Sequence, residues 1–233
     1  MTLGIMQPYI FPYIGYFQLI NAVDSFIIYD DIEYTKKGWI NRNRILLNGT
    51  DHLFSLPLKK DSDFLPVKER KLADNFPEYK KKLKGQLVTA YSKSPQFKII
   101  YPLIENSLDY SDMNLFNYIF YSVQQVCNYL GVPEKFIVSS TLPTNATLKG
   151  EDKVLEINKI LNATAYINAI GGQGLYSKER FKTGGIDLKF IQSGQINYSQ
   201  FDQSFVPHLS IIDVLMFNSK QKVQDFLDSY TLI

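Results

Sequence analysis

The segment Leu3–Tyr29, LGIMQPYIFPYIGYFQLINAVDSFIIY, carries the reading of the fold. Leu3 to Met6 is a short apolar run that meets Gln7-Pro8. Proline has no N–H to give to a sheet, so the run predicts a buried first strand that ends there. After an aromatic loop, Ile14 to Ala22 has the composition of a helix, and Gly15 lets its first turn approach a neighbour closely. Ser25 to Tyr29 predicts a second buried strand, which runs into Asp30 and Asp31. Strand, loop, helix and strand in that order open a parallel α/β sheet. Ligands of such sheets lie beyond the carboxyl ends of the strands, where Gln7–Tyr13 and Asp30–Tyr34 both fall.

Downstream of this unit, Arg44–Leu47 and Leu53–Leu58 flank Asn48-Gly49, a hairpin signal with a connection longer than two residues. Residues 75–130 read as helical, in pieces broken at Ser94-Pro95 and Tyr110-Ser111. The last piece, 112–130, places Leu115, Ile119, Val123, Val126 and Leu130 near a helical period, and Gly131 and Pro133 stop it. A second strand-helix series follows: strands at 135–139, 165–170 and 186–191, with helices at 151–161 and 177–182 between them. Two more helices are expected at 209–218 and 221–230. The expectation is one α/β domain over 1–233, a Rossmann-like, mainly parallel sheet flanked by helices, with a helical insertion at about 75–130.

Composition narrows the function classes. The 233 residues are 45% apolar and 21% charged, as in ordinary globular chains, and can bury a substantial core. A formal charge of +2 gives no electrostatic case for nucleic acid. The 16 tyrosines suit both half-buried cores and polar-ligand pockets, since each ring is apolar and each tip polar. One cysteine, Cys127, rules out an intrachain disulfide framework and a cysteine-rich zinc site, and two distant histidines argue against a histidine-based metal site. No apolar run is long enough to span a bilayer, and the N-terminus lacks a signal-peptide pattern, so a soluble cytoplasmic protein is expected.

Three clusters can carry chemistry. Gln7, Tyr9, Tyr13, Gly15 and Tyr16 lie on the loop and helix start after the first strand, where free N–H groups attract anions. Asp30, Asp31, Glu33 and Tyr34 follow the second strand and suit a base, a metal or hydroxyl recognition; Asp30 and Asp31, which abut the strand, are preferred to Glu33. Lys37, Trp39, Asn41, Arg42, Asn43 and Arg44 form a basic arm with amides. In an extended chain Arg42 and Arg44 share one face and Asn41 and Asn43 the other. Guanidiniums suit bidentate phosphate or carboxylate binding, and Trp39 can stack on a base or sugar. Each cluster also has a plain reading as core, turn or solvated edge. Gly171-Gly172-Gln173-Gly174 follows a strand without completing a phosphate-loop signature. His208 is open to a helix-start, packing or general-base reading, and Ser210 with Asp213 to a helix-capping pair.

The blocks QPYIFPYIGYFQLI, DSFIIYDDIEYTKKGWINRNRI, GGQGLYSKERFKTGGIDLKFI and FVPHLSIIDVLMFNS resemble the WbqC-like protein family and cover about half the chain. The resemblance implies a bacterial protein of O-antigen, lipopolysaccharide or other surface-polysaccharide synthesis. It further implies a transferase that moves an acyl or aminoacyl group to the amine of a nucleotide-activated sugar. Its shared positions here are Gln7, Pro12, Gly15, Tyr16, Asp30, Asp31, Tyr34, Trp39, Asn41, Arg42, Asn43, Gly172, Tyr176, Pro207, Ser210 and Asp213. On this reading Arg42 with Lys37 or Arg44 holds the diphosphate, Trp39 or Tyr9 stacks, and Asp30 or Asp31 takes the amine proton. The start of the chain is also similar to HUP-type nucleotidyl transferases and ligases, which would bring ATP and magnesium. It departs from them in carrying Tyr16 where a phosphate-gripping histidine stands. Two rivals stay open: an ATP-dependent HUP-type adenylyl transferase or ligase, and a non-catalytic sugar-nucleotide-binding module. The sequence leaves the acyl donor, the sugar and the oligomeric state undetermined.

Overall fold

The computed structural model describes residues 1–133, 135–201 and 204–233. Its centre is a six-stranded sheet in the order β5-β2-β1-β6-β7-β8. The strands are β1 (Thr2–Met6), β2 (Ser25–Ile28), β5 (Phe136–Val138), β6 (Ala165–Ala169), β7 (Asp187–Ser193) and β8 (Tyr230–Leu232). The first five are parallel and β8 is antiparallel to β7. Counted within the sheet the order is 3-2-1-4-5-6, that of Rossmann-like dinucleotide-binding sheets, so strand order reverses between β1 and β6.

Strand periodicity builds the two faces. Leu3, Ile5 and Ile27 join Val154, Leu155, Ile157 and Phe181 in one apolar cluster. Phe26 and Ile28 turn to the other face, onto Leu19, Ile20 and Val126. Gly4 also meets that face, where a side chain would reach within 3.3 Å of Phe26 and Val23. One face is covered by α5 (Gly150–Ile160) and α6 (Lys178–Thr183). The other is covered by α1 (Ile14–Asn21), α4 (Leu115–Leu130) and α8 (Lys220–Leu227).

Between β2 and β5 the chain leaves the sheet for a hairpin and three helices. The helices are α2 (Phe76–Tyr91), α3 (Phe97–Leu108) and α4, separated at the two expected breaks, and Gly131 ends α4 with φ +74°. The hairpin, β3 (Arg42–Leu47) and β4 (Thr50–Ser55), differs from the sequence expectation. Leu47 pairs directly with Thr50, so the connection is the two residues Asn48-Gly49, both at positive φ. Polar Thr50, Asp51 and His52 had concealed that start, yet on an exposed strand they cost nothing. The chain end also differs: α8 stops at Leu227 and Tyr230–Leu232 pairs with β7, where a final helix to Tyr230 was expected. Three residues carry no period by which to recognise a strand. The helix α7 (Ile211–Phe217) precedes α8. No described helix is long and apolar enough to cross a membrane.

Candidate functional site

The Gln7–Tyr13 loop leaves β1 at the point where the sheet order reverses, and the crevice there opens between β1, β6 and the starts of α1 and α5. It holds about 480 Å³ and is lined by Gln7, Tyr9, Tyr13, Gly15, Tyr16, Tyr29, Glu33, Asn168, Gly172 and Tyr176, with apolar side chains between them. A second hollow of about 220 Å³ is walled by Tyr9, Pro12, Tyr13, Trp39, Asn43, Arg44 and His208. A third, about 280 Å³, lies at the end of β7 against Ser193, Pro207 and His208. Tyr13 lines all three, so the hollows of this cleft adjoin at that one side chain.

Tertiary bonds fix the loop that carries Tyr13. The Tyr16 hydroxyl, buried under Phe26, donates to the Gln7 carbonyl at 3.0 Å. Burial holds that phenol far above its ordinary pKa, with Tyr9 and Cys127 adding to the shift, so it acts as a donor. The Asn43 amide donates to the carbonyls of Ile10 (3.2 Å) and Phe11 (2.6 Å). Ser210 donates to the same Phe11 carbonyl at 2.7 Å while capping α7 through the Ile212 N–H. Phe11 itself sits at φ +40°, a strained conformation that these bonds hold.

A hydrogen-bonded tyrosine chain supports the crevice from beneath, through buried Tyr166. The buried Asn168 amide donates to Tyr166 at 2.5 Å, and the Tyr166 hydroxyl is in turn hydrogen-bonded to Tyr176. Asn168 packs so tightly on Gly172 that a Cβ there would lie 2.3 Å from its Oδ1, so any side chain at 172 must displace the Asn168 amide. Tyr29 completes the floor, with the Lys153 ammonium 5.2 Å over its ring. Sequence reasoning missed Tyr29, Tyr166, Asn168 and Lys153, because each lies inside an apolar strand or helix where it resembles ordinary core.

The acids are placed unequally. Asp30, 2% exposed, turns away from the crevice and accepts from the Ser139 hydroxyl (2.8 Å), the Ser140 N–H (2.9 Å) and the Ser140 hydroxyl (2.7 Å). Asp31 pairs with Lys153 at 2.5 Å and accepts from Ser139 at 2.5 Å. Burial pushes its pKa up, but the Lys153 and Ser139 hydrogen bonds outweigh it and hold the carboxyl below its ordinary value. Neither lines the crevice; Glu33, which the sequence ranked below them, does, in a solvent-exposed pair with Lys149 at 2.9 Å. Both carboxylates are claimed by the Ser139-Ser140 corner after β5, a contact that spans more than 100 residues.

The basic arm divides as well. Arg42 donates to the carbonyls of Gly38 (2.5 Å) and Lys36 (2.8 Å), closing its own loop. The Tyr34 hydroxyl donates to Asn41 at 2.7 Å, and Asn41 donates to the Leu56 carbonyl at 2.7 Å. Lys37 is exposed and lines none of the three hollows. Arg44 is the arm cation that faces the cleft: its guanidinium lies 5.3 Å over Trp39 and pairs with Asp51 at 3.2 Å, and its buried Nε has no protein partner. Asp213 is wholly buried away from the cleft and accepts from Tyr91, Tyr198 and Gln200. The structure therefore gathers Gln7, Tyr9, Gly15, Tyr16, Trp39, Asn43, Arg44, Gly172, Tyr176 and His208 along one cleft. It sets Asp30, Asp31, Tyr34, Lys37, Asn41, Arg42, Ser210 and Asp213 outside it. Among the described residues no three metal-ligating acids, histidines or cysteines cluster.

Comparison with known proteins agrees with the recurring blocks. No solved structure is significantly similar to the chain. A protein of Mycobacterium tuberculosis described as "Uncharacterized protein Rv1507c" is 27% identical over 226 residues, which cover 96% of each chain. The family model of the WbqC-like protein family matches residues 7–225, and with that span of agreement the chain belongs to the WbqC-like protein family.

Proposed function

We propose that this protein binds a nucleotide-activated amino sugar in the Tyr13 cleft and transfers an acyl or aminoacyl group to the sugar amine, in surface-polysaccharide synthesis. The observation that carries the reading is the adjacency of two hollows at Tyr13. A crevice at the reversal of strand order adjoins, at Tyr13, a smaller hollow built from Trp39, Tyr9 and Arg44. Pockets at this position accept nucleotide-type ligands. A lining of tyrosine hydroxyls, Asn168 and Gln7 suits the many donors and acceptors of a sugar, and the Trp39 hollow has the size and faces for one flat or ring-shaped group.

In the transfer the amine lone pair attacks the acyl carbon of an activated donor. A C–N bond forms, the donor's leaving group departs with its bonding electrons, and the ammonium proton passes to a base. We assign Asp30 and Asp31 to holding the β5 corner and Tyr29, because their oxygens are engaged by serines and Lys153. That engagement also supports a second reading, a sugar-nucleotide-binding module with no turnover of its own.

Trp39 is the single tryptophan, half exposed and in the cleft wall, so its fluorescence is a built-in probe. Titration with UDP- and dTDP-linked amino sugars is expected to give a saturable change that Tyr13→Ala weakens. A flat titration with every sugar nucleotide would exclude the reading. Mass spectrometry of the sugar nucleotide after incubation with acyl thioesters separates the two variants: added acyl mass indicates the transferase, binding without it the module.

A further inference from the structure

In a sheet of this order an anion ordinarily rests on the N-terminus of the first helix. That seat is taken here. The Tyr13 ring lies over the start of α1, so close that a Cβ on Gly15 would be 2.4 Å from its hydroxyl. No Lys or Arg lines the crevice among the described residues, and its one charged lining group is the Glu33 carboxylate. At the other end of the cleft the charged lining group is the Arg44 guanidinium, with the His208 imidazole beside it. The charged lining groups at the two ends of the cleft are thus opposite in sign, Glu33 at the strand ends and Arg44 on the hairpin arm, each in an ion pair with a neighbour and with neutral aromatic walls between.

Resting on the proposed function, we infer that the ligand is read in one orientation: its free amine in the crevice against Glu33, its phosphates outside on Arg44, and the first-helix terminus unused. Glu33 is available for this. Its pair with Lys149 is between two largely exposed side chains, and such pairs are worth little, so a substrate ammonium can displace Lys149. Arg44 is available too, because its Asp51 contact uses a single nitrogen and lies between two partly exposed side chains. A phosphate would complete a charge-assisted pair there. It follows that the cleft distinguishes an amino sugar from its N-acylated product, since acylation removes the charge that Glu33 reads. Product release is built into the same contact.

The test titrates Trp39 fluorescence with UDP, a UDP-linked 4-amino sugar and its N-acetylated counterpart, using wild type, Glu33→Gln and Arg44→Gln. Arg44→Gln is expected to weaken all three ligands about tenfold or more, as loss of a charge-assisted contact does. Glu33→Gln is expected to weaken the free-amine ligand alone, by about tenfold, and to leave UDP unchanged. Arg44→Lys, with a melting curve as a check of folding, should recover part of the UDP affinity. Equal effects of Glu33→Gln on amine and N-acetyl ligands, or UDP binding indifferent to Arg44→Gln, would overturn the orientation while leaving the cleft as the binding site. Absence of binding by wild type would overturn the orientation and the proposed function together.

Discussion

Two carboxylates outside the cleft, half-buried Asp31 and wholly buried Asp213, are stabilised in opposite ways. Asp31 meets a cation: Lys153 of α5 reaches it at 2.5 Å and lies over Tyr29 as well. Asp213 meets neutral donors, with Tyr91 from the end of α2, Tyr198 and Gln200 around it. The first arrangement holds the carboxyl below its ordinary pKa against the pull of burial. In the second, burial wins over three hydrogen bonds and the pKa is raised. The shallower burial of Asp31 and its charged hydrogen-bond partner together set the opposite sign. The Asp31 side is an ion pair, whereas the Asp213 side is a clasp of uncharged donors between α2, α7 and, through Tyr91 and the Leu46 N–H, the hairpin.

The first way to break this contrast is to remove the cation. Lys153→Met leaves partly buried Asp31 without its cation, and urea unfolding should show a loss of about 2 kcal/mol, between the values for exposed and fully buried pairs. Asp213→Leu strands three donors and is expected to cost about 2 kcal/mol in the same measurement, with Asp213→Asn milder because an acceptor remains. A pH series sharpens the contrast further. For Asp31 the folded pKa lies below the unfolded one, so its contribution is present above the ordinary value of 3.8 and is lost as pH falls through the folded pKa. For Asp213 the folded pKa lies above the unfolded one, so its contribution is complete below 3.8 and is lost as pH rises through the folded pKa. Melting temperatures from pH 7 downward should show wild type gaining on Asp213→Asn and, below about pH 4, losing to Asp31→Asn. Slopes of the same sign would refute the comparison. The smallest effect belongs to Asp51→Asn, since Arg44 and Asp51 are both substantially exposed; stability should move by no more than about 0.5 kcal/mol.

The legible and illegible parts of the site differ in the range of their contacts. Gln7, Tyr9, Gly15 and Tyr16 were found from the sequence because strand, proline, aromatic loop and helix start are local signals, and all four reach the crevice. Arg42, Asn43 and Arg44 were recognised as one arm, and their alternate burial follows the strand period. Which guanidinium faces the cleft was not legible, since it depends on Arg42 finding the Gly38 and Lys36 carbonyls first. Asp30 and Asp31 stood at a strand end as a ligand site would have them, yet Ser139 and Ser140, a hundred residues on, claim their oxygens. Tyr29 and Asn168 gave no signal because each continues an apolar strand and reads there as core.

The sequence by itself determined the Rossmann-like sheet. Apolar runs of strand length, stopped by proline or acids and alternating with helices, allow few other ways to bury Leu3, Ile5, Phe26 and Ile27. It also marked the β1 loop and the Trp39–Arg44 arm as unlike ordinary core. Tertiary structure alone decided which polar groups remain free for a ligand. Hydrogen bonds and ion pairs are short-ranged and saturable, so a side chain's availability depends on what the rest of the fold brings against it. Tyr13 is the plainest case: a half-exposed tyrosine in the sequence's aromatic loop becomes, once folded over Gly15, the wall shared by all three hollows.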